Sequence, residues 1–114
     1  MPLCEINTNV KNVPDDFLQN CSKVIAETLG KPITYVCVEV NTGKQMTFGA
    51  TNEPCAIVKV ASAGKISLEE NKQHARNITQ FITNSLGIAD DRFYVLFEDL
   101  KRENVAFKNR ILAE

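Results

Sequence analysis

Apolar and polar positions alternate over residues 3–8, the two-residue period of a half-buried β-strand. The period then lengthens, with Phe17, Leu18, Cys21, Val24, Ile25 and Leu29 recurring at helical spacing. Pro14 supplies a pre-set φ for a helix start, and Asp15 and Asp16 bring negative charge that the helix dipole favours. Gly30 and Pro32 end the pattern, so the spacing predicts a first helix over 14–29. Alternation returns over 35–40, with Val36, Val38 and Val40 on one face and Tyr35, Cys37 and Glu39 on the other. Residues 41–44 read as a turn, 45–48 as a short edge strand, 49–53 as a loop and 55–61 as a third main strand. Ser67 and Glu70 have the spacing of a capping box, and Leu68, Ala75, Ile78, Ile82 and Leu86 form an apolar stripe that stops at Gly87. A second helix over 67–86 follows. A fourth strand over 93–98 leads into a polar tail whose substantial apolar groups are Val105, Phe107, Ile111 and Leu112.

The order strand, helix, strand, strand, helix, strand carries an internal repeat. Pro2-Leu3-Cys4 opens the first unit and Pro54-Cys55-Ala56 the second; Leu29-Gly30 and Leu86-Gly87 end the helices; Tyr35-Val36 and Tyr94-Val95 begin the strands that follow. Two βαβ repeats predict an α/β (α+β) fold with a four-stranded mixed sheet and both helices on one face, in a single domain spanning 1–114. A ferredoxin-like arrangement is the topological rival. Val58 and Val60 point to one face and Ile57 to the other, and Phe93, Val95 and Phe97 oppose Tyr94 and Leu96. Two helices cover only one face, so the other is expected to meet a second subunit.

Composition narrows the function. Of 114 residues, 44% are hydrophobic and 24% charged, as in one globular domain. A chain this short buries only about two-thirds of its unfolded surface, which favours a ligand pocket between subunits. The net charge of −1, with no basic run, argues against nucleic acid as a partner. Neither a leader nor a spanning segment is evident, so synthesis in the cytoplasm and no membrane insertion are expected. Cys4, Cys21, Cys37 and Cys55 form no C-x-x-C and are expected to be reduced and mostly buried; with one histidine, His74, no metal site and no cofactor are expected.

No nucleophile motif or phosphate loop is present. The acidic pairs Asp15-Asp16, Glu69-Glu70 and Asp90-Asp91 fall at element ends, and His74, beside Lys72 and Arg76, is expected on or near the solvated face of the second helix. Pro2 is more informative. Removal of Met1 would leave a secondary amine, a group that titrates near 8, and burial or a nearby cation would lower that value toward neutrality. Taken alone, composition favours the plainer reading of Pro2 as a common second residue compatible with processing of Met1.

The residues also carry a resemblance. Met1-Pro2, Asn7-Thr8-Asn9-Val10, Gly30-Lys31-Pro32 with Tyr35, Phe48-Gly49, Glu53-Pro54-Cys55-Ala56, Ser62-Ala63-Gly64-Lys65, Asp91-Arg92-Phe93-Tyr94 and Asn104-Val105-Ala106-Phe107 run from end to end. In order and spacing they resemble the macrophage migration inhibitory factor family, to which D-dopachrome tautomerase is close. The resemblance implies a tautomerase fold assembled as a homotrimer, with sites at subunit interfaces. It implies an isomerase for phenylpyruvate-like aromatic α-keto acids and dopachrome-type substrates, with Pro2 as general base and Lys31 on the substrate carboxylate. Ala63 would offer a backbone contact, and Tyr35, Tyr94 and Phe107 would line the pocket, partly from a neighbouring subunit. A cytokine-like role, a cell-surface receptor and secretion without a signal peptide are implied as well, with a signalling ligand of vestigial catalysis as the alternative.

Two departures qualify the resemblance. Leu96 stands where well-known members carry a substrate-binding Asn, and Val58 replaces the second cysteine of the family's C-x-x-C after Cys55, which removes the resolving thiol. The shortened segment near Lys11 and the Gly43 turn lack the Arg and Asp associated with receptor binding.

Overall fold

The computed structural model describes residues 1–114. Its main elements are β1 (Pro2–Thr8), α1 (Phe17–Leu29), β2 (Cys37–Asn41), β3 (Ala56–Ser62), α2 (Leu68–Leu86) and β4 (Phe93–Asp99), followed by a small hairpin of β5 (Ala106–Phe107) and β6 (Arg110–Ile111). The sheet order is β2-β1-β3-β4, with β1 parallel to β2, β3 parallel to β4, and β1 antiparallel to β3. Each βαβ unit therefore pairs its own two strands, and the units join through β1 and β3. The ferredoxin-like alternative is excluded, because there the strands of one unit are separated by a strand of the other.

One face of the sheet and both helices enclose the core: Cys4, Ile6, Val58 and Val60 meet Phe17, Cys21, Ile25 and Leu29 from α1 and Ile78 and Ile82 from α2. Each such aliphatic side chain contributes about 1.5–3 kcal/mol on burial. Cys4, Cys21 and Cys55 are buried free thiols, and Cys37 is exposed. A hydrogen bond with Cys21, followed by burial, pushes the Cys4 thiol well above the usual range. The opposite face is open, carrying Leu3, Ile57, Tyr94 and Leu96 among Glu5, Asn7 and Lys59. No helix is long and apolar enough to cross a membrane.

Three local expectations are corrected. The first helix starts at Phe17 rather than at 14, because residues 14–16 form a preceding turn in which the Phe17 amide donates to the Pro14 carbonyl at 3.0 Å. Asp15 and Asp16 thus lie ahead of the helix, and Asp16 gives no side-chain cap. The edge strand expected over 45–48 is absent; only a bridge between Phe48 and Thr51 forms, across Gly49 and Ala50, both at positive φ. Tyr35 does not begin a strand. Ile33–Tyr35 is a single 3₁₀ turn, with the Tyr35 amide donating to the Pro32 carbonyl at 3.1 Å, and β2 begins two residues later.

His74 is also misjudged by the helical pattern. It is 4% exposed, with Nε2 2.7 Å from the Lys65 carbonyl and Nδ1 3.1 Å from the Thr28 hydroxyl, which itself accepts from Asn77. A carbonyl can only accept, so Nε2 carries the proton and Nδ1 accepts from Thr28. The ring ties α2 to the end of α1. His74→Leu is expected to lower the unfolding free energy in urea by about 1–3 kcal/mol, because it leaves these partners unpaired. An unchanged urea midpoint would show that the bonds add nothing.

Candidate active site

The site grows from how α1 ends. Gly30 adopts φ 62, its amide donates to the Glu27 carbonyl, and the Lys31 amide donates to the Ala26 carbonyl at 3.0 Å. Left-handed backbone of this kind suits glycine, and it turns the chain sharply off the helix. Lys31 is thereby sent across to β3, where its Nζ donates to the Ala63 carbonyl at 3.1 Å. Ala63 follows Ser62, which is the β3 partner of Pro2 in the antiparallel register. Lys31, Ala63 and Pro2 thus converge at one end of the sheet through a helix stop and a strand register.

Beside them lies a cavity of about 310 Å³, walled by Met1, Pro2, Leu3, Tyr35, Val36 and Phe107 with Thr34, Cys37, Val105 and Ala106. Tyr35 reaches this wall because the 3₁₀ turn lifts it out of the sheet's alternation, and it meets Phe107 edge to face at 5.6 Å between ring centroids. The Pro2 side chain is almost fully buried. With Met1 in place the Pro2 nitrogen is an amide without a basic lone pair, and the titrating group is the Met1 amine. Its pKa is held below the ordinary value of 8.0 by burial first, then by Lys31 and Arg102.

Of the seven residues picked out in the sequence, Pro2, Tyr35 and Phe107 line the cavity, while Lys31 and Ala63 are bonded to each other at the same end of the sheet, outside the cavity wall. Tyr94 and Leu96 do neither. Tyr94 is 64% exposed and packs on Phe48 at 5.2 Å, and Leu96 is 49% exposed opposite Lys59 on the open face. Arg102 was not recognisable beforehand as part of the site, since it arrives on the tail; the only signal was basic residues flanking Asn104-Val105-Ala106-Phe107. The Asn7-Thr8-Asn9 and Glu53-Pro54-Cys55 segments belong to a latch rather than to the cavity. Thr8 Oγ1 donates to the Cys55 carbonyl at 2.7 Å, and Asn9 Oδ1 accepts from the Cys55 amide at 2.9 Å.

Comparison with known proteins bears on the family and the fold. The pattern of the family described as Macrophage migration inhibitory factor (MIF) matches residues 1–113. A macrophage migration inhibitory factor homolog of Trichuris trichiura is 38% identical, covering 94% of this chain and 96% of that protein. The macrophage migration inhibitory factor of Mus musculus is 34% identical, covering 99% and 100%. Among solved structures, the macrophage migration inhibitory factor from Trichinella spiralis superimposes with a TM-score of 0.93 at 32% identity, covering 96% of this chain and 98% of that one. With a family match over almost every residue and close agreement in fold, the chain belongs to the macrophage migration inhibitory factor family.

Proposed function

We propose that the protein is a keto–enol tautomerase for phenylpyruvate-like aromatic α-keto acids and dopachrome-type substrates, with the amine of Pro2 as general base after loss of Met1. The observation that carries this reading is the cavity walled by Pro2, Tyr35 and Phe107 at a chain terminus whose amine faces two cations. Freed of Met1, the Pro2 amine would sit deeper in the same field, and a lowered pKa keeps it unprotonated at neutral pH. It takes a proton from the carbon next to the keto group and returns it to the oxygen, leaving the enol; the reverse steps regenerate the ketone. Lys31 receives the substrate carboxylate and offsets charge that develops on the oxygen. The aryl ring lies against Tyr35 and Phe107. Leu96 offers no hydrogen bond, so orientation rests on Lys31 and the backbone at Ala63. The test is an enolisation assay with phenylpyruvate on protein whose intact mass establishes the absence of Met1; no turnover above the solvent rate overturns the reading.

The reading includes a homotrimer in which Tyr94 and Leu96 reach a neighbour's cavity, supported by Ile57 and Leu96, both large and apolar, standing exposed on the open face. Leu96→Arg is expected to shift the mass in sedimentation equilibrium from three chains toward one. Within one chain that residue is half exposed, so folding is spared, but an interface would have to bury a cation opposite Lys59. At about 3 kcal/mol for an uncompensated charge, association weakens about a hundredfold. A monomeric unsubstituted protein, or an unmoved variant, refutes this assembly.

A second role as a cytokine-like signal acting through a cell-surface receptor belongs to the same proposal, and the name macrophage migration inhibitory factor carried by the relatives supports its signalling part.

A further inference from the structure

The cavity beside Pro2 continues past the Tyr35–Phe107 pair. A second cavity of about 310 Å³ shares Met1, Tyr35 and Phe107 with the first and is completed by Arg102, Lys108, Arg110 and Leu112. Three cations and no carboxylate therefore line one mouth, in a chain whose net charge is −1.

The hairpin builds this arrangement. Lys108 and Asn109, at φ 53 and 68, make a two-residue turn that sets Phe107 opposite Arg110. Directly paired residues of this kind project from one face of a hairpin, so the Arg110 guanidinium stands on the Phe107 side. Lys108 Nζ lies 5.7 Å from the centre of the Phe107 ring, and Arg102 is anchored through a hydrogen bond from Nη2 to the Leu112 carbonyl. The chain's two ion pairs are Lys72 with Glu69 and Arg110 with Glu114, so neither Arg102 nor Lys108 has a carboxylate partner. The Arg110 pair is 3.8 Å long between exposed groups, and such pairs add little. Glu114 is held more closely by the Ile111 amide, at 2.6 Å. Like charges gathered against an apolar wall repel one another, and their summed field favours an anion arriving between them.

We propose that this mouth is an anion subsite, and that the protein prefers aryl α-keto acids carrying a second anionic group on the ring, remote from the keto acid. The proposal rests on the tautomerase reading for where the first carboxylate goes. One end of such a ligand meets Lys31, the ring lies along Tyr35 and Phe107, and the far anion enters among Arg102, Lys108 and Arg110.

The test compares phenylpyruvate with para-sulfophenylpyruvate at low ionic strength, in the unsubstituted protein and in a variant combining Lys108→Gln with Arg110→Gln. The ratio of kcat/KM for the two substrates is read within each protein, so that any effect common to both cancels. We expect the sulfonate to be favoured about three- to tenfold, with the preference fading as salt is added and falling to about one in the variant. A ratio of one in the unsubstituted protein, or a preference that survives the double substitution, overturns the proposal. Dissociation constants for both compounds, measured calorimetrically on the full chain, keep the two readings separate. If neither compound is enolised but the sulfonate still binds more tightly in a Lys108- and Arg110-dependent way, the tautomerase reading fails and the anion subsite stands. If phenylpyruvate turns over and the sulfonate gains nothing in either readout, the subsite fails alone.

Discussion

Pro2→Gly, prepared without Met1, is expected to lower kcat/KM for phenylpyruvate enolisation by about 10²–10⁴-fold, the range associated with loss of a positioned general base. The substitution removes a ring that is almost fully buried, which takes away roughly 2 kcal/mol of packing at about 0.8 kcal/mol per methylene. A fall in activity could then be blamed on folding. Protein that retains Met1 supplies the control, because it keeps the ring and converts its nitrogen to an amide. Both preparations should be inactive, while only the substituted one should melt earlier. Turnover at the unsubstituted rate in a preparation shown by mass to lack Met1 would remove Pro2 from the reaction. The signalling role separates at the same point, since cell migration driven equally by the inactive form would make catalysis incidental to it.

Why both helices and the sheet are legible in the sequence, and Arg102 is not, follows from the range of the forces involved. Both helices were legible because their apolar stripes and glycine stops act within a few residues: Gly30 and Gly87 both occupy left-handed backbone at the helix ends. The sheet was legible because alternation reports which side chains face the helices, and Ile57 and Leu96 do lie on the uncovered face. His74 failed because helical spacing tells only that a position is near the boundary of the apolar stripe. Its burial is decided by the Lys65 carbonyl and the Thr28 hydroxyl, one on the preceding loop and one on the other helix. Tyr35 failed for a local reason that is intelligible afterwards, in that Pro32 begins a 3₁₀ turn before β2 can start. The consequence reaches the site, since a Tyr35 held in strand alternation would point across the sheet rather than toward Phe107. Arg102 and the paired turn at Lys108 and Asn109 lie in a tail with little periodicity, where no local pattern announces that the chain folds back over its own beginning.

Lys31→Met is expected to reduce kcat/KM by about 10–100-fold, mostly through KM, and to move the acidic limb of the pH profile to higher pH. The first effect is the loss of a charge-assisted hydrogen bond to the substrate carboxylate, about 1.5–3 kcal/mol. The second follows from the sign of the shift at the chain terminus. With Met1 in place, Lys31 lies close enough to the Met1 amine to help hold its pKa below 8.0, behind burial and ahead of Arg102, and the Pro2 amine freed by loss of Met1 is expected to meet the same cation. A cation disfavours a second positive charge beside it, so removing Lys31 makes the amine easier to protonate and raises its pKa. The free base then appears only at higher pH, and at any pH below the limb a smaller fraction of the enzyme is active. Met keeps most of the length and the apolar character of the stem but loses the bond to the Ala63 carbonyl. A purely structural role for that bond would lower stability and leave the limb in place. A limb that stays where it was, with KM unchanged, would show that Lys31 serves only the end of α1. A limb that moves without a change in KM would assign it to tuning the base and leave the carboxylate to another group. Arg102 is the next cation in the same field, so the same profile measured on Arg102→Gln should move in the same direction by less.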